Sequence, residues 1–177
     1  MATTKWALDP NHAEIQFKVK HLMITTVTGS FKQFDATIET DSDDFSNARV
    51  KFTTDVNSIS THNEQRDNHL KSPDFFDAEG HPQITFEGTK FTQKSGDEYT
   101  LEGDLTIRGT TKPISLDVEF GGIMADPYGQ TKAGFELNGK INRKDFGLGW
   151  GAVTEAGGVV VGDEVKIIGS VQFTKQA

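Results

Sequence analysis

Tyr99-Thr100-Leu101-Glu102-Gly103-Asp104-Leu105-Thr106-Ile107-Arg108 alternates almost residue by residue: Tyr99, Leu101, Leu105 and Ile107 stand against Thr100, Glu102, Asp104, Thr106 and Arg108. A period of two puts the first set on one face of a pleated strand and the second on the other. The stretch therefore predicts a β-strand with one buried face, and the same rhythm runs outward in both directions. Upstream, Ala13, Ile15, Phe17 and Val19 alternate with polar residues, as do Phe34, Ala36 and Ile38, then Ala48, Val50, Phe52 and Val56, then Ile84 and Phe86. Downstream come Ile114, Leu116, Val118 and Phe120, then Ala133, Phe135, Leu137 and Ile141, then Val165, Ile167, Val171 and Phe173. Phe31 is out of phase with Phe34, which predicts a bulge near Lys32–Gln33, and Ile168 breaks the last pattern. Turn chemistry joins neighbours at Lys94–Asp97, Arg108–Pro113 and Asp126–Gly129.

Eight strands with one apolar face each must bury that face. Hydrophobic residues make up 34% of the 177, against ~45–50% with glycine in an ordinary globular chain. No helix is apolar enough to cover an open sheet, so the sheet folds on itself as a sandwich or a closed barrel. Short sequential links favour an up-and-down barrel. The reading is thus all-β: an extended eight-stranded antiparallel barrel forming a single domain over residues 1–177. Thirteen Phe against two Trp and two Tyr suit an interior with few hydrogen-bond partners. An eight-stranded barrel either fills with side chains or holds one small ligand, and the pattern leaves both open.

Two stretches do not alternate. Thr61–Asp77 predicts a short helix over Asn63–Leu70 between strands three and four. A second helix start comes next, with Ser72 as cap and Pro73 at its first position, and Phe75 and Phe76 fasten the excursion to the barrel. Phe146–Gly162 is glycine-rich and predicts a long loop or irregular hairpin, in which Trp150 and Phe146 form either a lid over the barrel mouth or a plug.

The net charge of −8 argues against nucleic acid, which needs a basic stripe, and no run is long enough for stable membrane insertion through a helix. There is no cysteine, hence no disulfide and no thiolate chemistry. The start Met1-Ala2-Thr3-Thr4-Lys5 has no apolar leader. It predicts a cytoplasmic protein, or a periplasmic one whose leader has been removed.

Motifs along the chain carry a resemblance. They are Trp6-Ala7-Leu8-Asp9-Pro10-Asn11-His12, Phe17–Leu22, Val27–Phe31, Ser58–Thr61, Gly103–Gly109, Ile141–Gly147 and Val161–Val165, with Arg66-Asp67-Asn68-His69-Leu70-Lys71-Ser72-Pro73-Asp74-Phe75-Phe76-Asp77 the most specific. From Trp6 to about Phe173 the chain resembles the YceI-like family of polyisoprenoid-binding, lipocalin-like barrels. The resemblance implies binding, storage or transport of a long-chain isoprenoid lipid, of polyprenyl phosphate or quinone type, or a similar amphiphile. It also implies a homodimer. No cofactor is expected beyond such a bound lipid.

The inward residues expected against that ligand are Ile15, Phe17, Val19, His21, Phe34, Ile38, Val50, Phe52, Phe86, Leu101, Leu105, Phe120, Phe135, Leu137 and Trp150. Arg66 and Arg143, with Arg108 and Lys144, are cations that could meet a polar head, since arginine offers a bidentate fork to phosphate. An enzyme acting on such a lipid through His69, Asp67 or His21 is the alternative, as is a structural barrel with a filled core. No nucleophile elbow is present, so the expectation is a binding protein. Arg66, Asp67 and His69 are read as ties between the helix and the barrel. The five histidines lack the i, i+4 spacing of a zinc site, and the acidic pairs Asp43–Asp44 and Asp163–Glu164 read as solvated.

Overall fold

The computed structural model describes residues 3–21, 24–41, 45, 48–148 and 161–176, with His21 and Val161 described by their backbone only. Its strands are β1 (Thr4–His21), β2 (Thr25–Phe31), β3 (Phe34–Thr40), β4 (Arg49–Asp55), β5 (Ile59–Ser60), β6 (Gln83–Ser95), β7 (Glu98–Ile107), β8 (Thr110–Ala125), β9 (Thr131–Asn142) and β10 (Val161–Lys175). A single α-helix among the described residues, α1, spans Glu64–Lys71. The antiparallel order runs β10-β9-β8-β7-β6-β4-β3-β1, and β1 also pairs with β10. Eight strands therefore close a ring, and none of the eight is left as an edge. All eight strands read from alternation are present.

β1 is longer than its alternation shows. Trp6 and Leu8 lie on the same strand as Ile15 and Phe17, but Asp9–His12 bulge out, and the register against β10 slips between Leu8 and Ala13. β2 and β3 are two arms of one bent strand. Residues 25–30 pair with the second half of β1 and residues 37–40 with its first half. The bend is at Lys32–Gln33, where Phe31 falls out of phase with Phe34.

Turns end the strands as their side chains dictate. Arg108 and Gly109 both have positive φ, 51° and 75°, as a tight two-residue hairpin requires. The link is thus shorter than the six residues expected, and Pro113 lies within β8. The Asp126 carboxylate accepts the N–H groups of Tyr128 and Gln130, each at 2.9 Å. Val56 leaves the strand for a 3-10 turn, Val56–Ser58, capped by Asp55.

The helix starts at the expected place. The Asn63 side chain accepts from Arg66 N–H at 3.0 Å, an N-cap bond. No residue of α1 is buried, so the segment after Lys71 supplies the attachment. The expected second helix does not form. Ser72 is instead the C-cap of α1, because Phe76 and Ala78 donate back to Leu70 and Lys71 carbonyls at 3.0 and 2.8 Å. The chain is folded onto the helix end in turns, and this drives Phe75 into the core at 6% exposure.

Candidate functional site

Alternation around a closed ring turns every apolar face inward, and here those faces do not meet. They line a cavity of about 240 Å³. β1 contributes Ile15, Phe17 and Val19; β3 contributes Phe34 and Ile38; β4 contributes Val50 and Phe52. Phe86 of β6, Leu101 and Leu105 of β7, and Phe135 and Leu137 of β9 complete the residues expected from sequence. Among the described residues, the polar ones in the lining are Gln16, Thr54 and Arg143, and the Thr54 hydroxyl donates to Gln33 O at 3.0 Å. Phe120 does not line the cavity. It stacks behind Phe135, with ring centroids 5.2 Å apart. Trp150 and the side chain of His21 lie outside the described residues.

The end where β1 begins is shut by aromatic rings. Phe45, 1% exposed, has its ring 5.1 Å from Trp6, 5.4 Å from Phe120 and 5.3 Å from Phe135. Phe91 stacks on Tyr99 at 4.6 Å and meets Phe135 edge-on. Sequence reading missed Phe45 because it sits in a polar, non-alternating stretch. It also missed that β6, β7 and β8 run on past the ring to bring Phe91, Tyr99 and Phe120 to the same end.

The opposite end carries α1 and the turn after β9. Phe76 packs edge-on to Phe31 at 6.2 Å, and Phe31 in turn lies against Phe17. Arg108 donates to Phe75 O at 3.0 Å and to Gly147 O at 3.3 Å, so it bridges the helical excursion and the β9 turn. Arg143, 3% exposed, donates to Gly162 O at 2.9 Å and to Leu148 O, with Asp163 3.7 Å away. Burial lowers its pKa, opposed by Asp163. It is the charged residue of the lining, and its hydrogen bonds gather backbone at residues 148 and 162. Lys144 pairs with Asp163 at 3.3 Å and Glu164 with Lys140 at 3.8 Å. Phe146 is buried at this end, while residues 149–160 of its loop lie outside the described residues.

The polar cluster on α1 is brought together but not aimed into the tube. Arg66 donates to Thr61 through Nε at 2.8 Å and through its other guanidinium arm to the carbonyl at 2.7 Å. Asp67 accepts from the Thr61 N–H at 2.8 Å, and His69 Nε2 meets Asp74 at 2.9 Å. None of the three is in the lining. Among the described residues no three His, Asp or Glu side chains converge as a metal site would need. Asp43 and Asp44 lie outside the described residues.

Comparison with known proteins gives a consistent picture. Residues 6–173 match a family model described as a YceI-like domain. A UPF0312 protein of Staphylococcus epidermidis is 42% identical over 172 residues, which cover 97% of this chain and 98% of that protein. BcnA of Burkholderia cenocepacia superposes with a TM-score of 0.81 at 25% identity, over 93% of this chain and 98% of that one. A polyisoprenoid-binding domain from Saccharophagus degradans implicated in plant cell wall breakdown superposes with a TM-score of 0.71 at 14% identity, over 97% of this chain and 98% of that one. That last likeness is one of fold.

Proposed function

The chain belongs to the YceI-like domain family, and from that premise we propose that its barrel binds, stores or carries a long-chain isoprenoid lipid or a similar amphiphile, with the tail laid along the tube. The observation that carries the reading is the lining: an apolar wall contributed by every strand of the ring, with one charged side chain among its described residues. Such a wall offers a sugar or nucleotide few groups to bond to. It offers an apolar chain about 0.8 kcal/mol per buried methylene-sized group. A tail of several isoprene units could therefore hold tightly with few polar contacts. The ring is closed, so the energy of holding the tube open is met by sheet hydrogen bonds rather than by the ligand, which favours preorganised binding.

The binding reading is preferred to catalysis because Asp67 and His69 are engaged with Thr61 and Asp74 at the root of α1. The quinone or polyprenyl phosphate class, and assembly as a homodimer, are part of the same proposal. The test is mass spectrometry of organic extracts from protein purified without detergent, followed by addition of a polyprenol and a menaquinone to the stripped protein. An extracted species with a C5 repeat, or saturable uptake of either probe, is expected. Recovery of no lipid together with no uptake would refute the reading. Native mass spectrometry of the same sample reports subunit number.

A further inference from the structure

Among the described residues, one interruption in the backbone ladders of the ring falls in the middle of β1. On the side of β1 that faces β2 and β3, residues 4–7 pair with β3 and residues 16–21 with β2, but residues 8–15 pair with neither. The facing backbone, residues 31–36, is turned away. Lys32 N–H donates to Ser58 O at 3.1 Å, and Gln33 O accepts from Asp55 N–H at 3.0 Å. The Asp9–His12 bulge thus lies opposite the Lys32–Gln33 bend, and the wall between them has no backbone ladder.

A groove opens on the outer surface at this gap. Its rim is polar, with Asn11, His12, Glu14, Ser30, Lys32 and Gln172. Its floor is Leu8, Ile15, Phe31 and Phe34, and these same four side chains line the tube inside. At this point the wall is one layer of apolar side chains thick. Side chains change rotamer in picoseconds to nanoseconds when not locked, whereas a paired strand must break hydrogen bonds to part. The bulge that holds one lip is itself tied down: the Asp9 carboxylate accepts from Asn11 N–H at 3.0 Å and from Lys132 Nζ at 3.0 Å, and meets His12 Nδ1 at 2.9 Å. Lys132 also donates to Thr174 at 2.7 Å. The lip cannot relax inward to close the gap without giving up these bonds.

We propose that this gap between β1 and the β2–β3 bend is a lateral portal, through which the apolar chain of an amphiphile enters the tube while its hydrogen-bond-accepting polar group stays on the rim. The proposal rests on the lipid-binding reading of the barrel. The rim is rich in donors: Lys32, His12, Asn11, Ser30 and Gln172 all carry N–H or O–H groups, and its carboxylate, Glu14, accepts from Gln16 Nε2 at 2.7 Å. The ligand class is accordingly a single long apolar chain ending in an acceptor such as quinone carbonyls or phosphate oxygens. The aromatic cover around Phe45, at the end where β1 begins, makes that end a stop for the chain.

The absence of cysteine makes the test direct. Single-cysteine variants Lys32→Cys and Gln172→Cys on the rim, Gln65→Cys on α1 and Glu102→Cys on the outer face of β7 are each capped with a polyethylene-glycol maleimide. Menaquinone transfer from phosphatidylcholine vesicles is followed by quenching of tryptophan fluorescence. Caps at Lys32 and Gln172 are expected to slow both uptake and release at least tenfold, because a blocked passage retards both directions whereas lost affinity speeds release. Caps at Gln65 and Glu102 are expected to leave both rates within twofold. Unchanged rates with either rim cap, or slowing by the Gln65 cap alone, overturn the portal. If the uncapped chain takes up no menaquinone and no polyprenol, the binding reading fails first and the portal falls with it.

Discussion

Replacing Phe45 tests the closed end of the tube in two ways. The ring is 1% exposed and touches three other aromatic rings. Removing a buried Phe side chain costs about 3–5 kcal/mol through lost transfer energy and the void left behind. For a chain of this size each kcal/mol lowers Tm by about 2–4 °C, so Phe45→Ala should melt roughly 6–20 °C below the parent. Phe45 also has φ of +60°, a conformation that costs an L-residue about 1–2 kcal/mol. Glycine is relieved of that cost and forgoes one buried methyl, about 0.8 kcal/mol. Phe45→Gly should therefore be at least as stable as Phe45→Ala, the reverse of the order expected from side-chain size. The Phe45 ring lines the tube, so its void is continuous with the ligand space, and an added long-chain polyprenol should recover part of the loss in either variant. Thermal and urea unfolding of lipid-stripped protein, with and without polyprenol, give all three quantities. A Phe45→Ala loss below about 1.5 kcal/mol, well under the usual range for a buried Phe, would show that the aromatic cluster does not close this end.

Substitutions at three further positions probe other parts of the site. His12 and Lys132 hold the Asp9 carboxyl at a pKa of about 2, below the ordinary 3.8 of an aspartate. A depressed carboxylate stabilises the fold above its unfolded pKa and stops doing so as pH falls through the folded one, so Asp9→Asn should melt lower than the parent at pH 7, with the two curves converging between about pH 4 and pH 2; a constant gap across that window would sever Asp9 from the acid response. Arg143→Met removes two hydrogen bonds from a charged donor to the Leu148 and Gly162 carbonyls, offset in part by relief of a buried charge, and should cost about 2 kcal/mol in urea unfolding, with Arg143→Lys recovering little because its single ammonium cannot reproduce the fork. A Cβ at Gly29 would lie 2.2 Å from the tip of the Phe17 ring, so Gly29→Ala should push that ring into the tube, reducing menaquinone capacity while costing about 1–3 kcal/mol; full capacity at parental stability would show that the ring has another place to go.

Much of the barrel was legible because alternation reports faces. A closed eight-stranded ring is what eight half-apolar strands form when nothing else covers them, and most inward residues, such as Phe52, Leu105 and Leu137, fall in the lining by parity alone. Parity does not report height along the barrel. Phe120 and Phe135 share an apolar pattern with their strands, yet the first belongs to the closed end and the second to both plug and lining. Nor does parity show what fills the inward positions that carry no side chain. Gly88 and Gly103 are direct partners across β6 and β7, and a Cβ on Gly103 would stand 2.3 Å from the Glu87 carbonyl oxygen. The strands approach there more closely than any other residue allows, which is one way a sheet is bent into a ring.

The wall gap shows why some of the site lay beyond a strand-by-strand reading. Each of its halves leaves a mark in the sequence. Phe31 is out of phase with Phe34, and Asp9-Pro10-Asn11-His12 interrupts the alternation between Leu8 and Ala13. Read singly, each mark is an ordinary bulge, a device that bends a strand. Whether two bulges make an opening depends on whether they face each other, and that is set by register. The β1–β3 ladder ends at Ala7 opposite Thr37, and the β1–β2 ladder starts at Gln16 opposite Ser30. Between those two pairs β1 advances nine residues and the facing chain seven, so the lengths nearly match and the interruptions fall side by side. Shifting either ladder by two residues, which preserves the inward face, would set each bulge against a regular strand. The alternation that specifies the barrel would be untouched, but the tube would then be walled in backbone on this side.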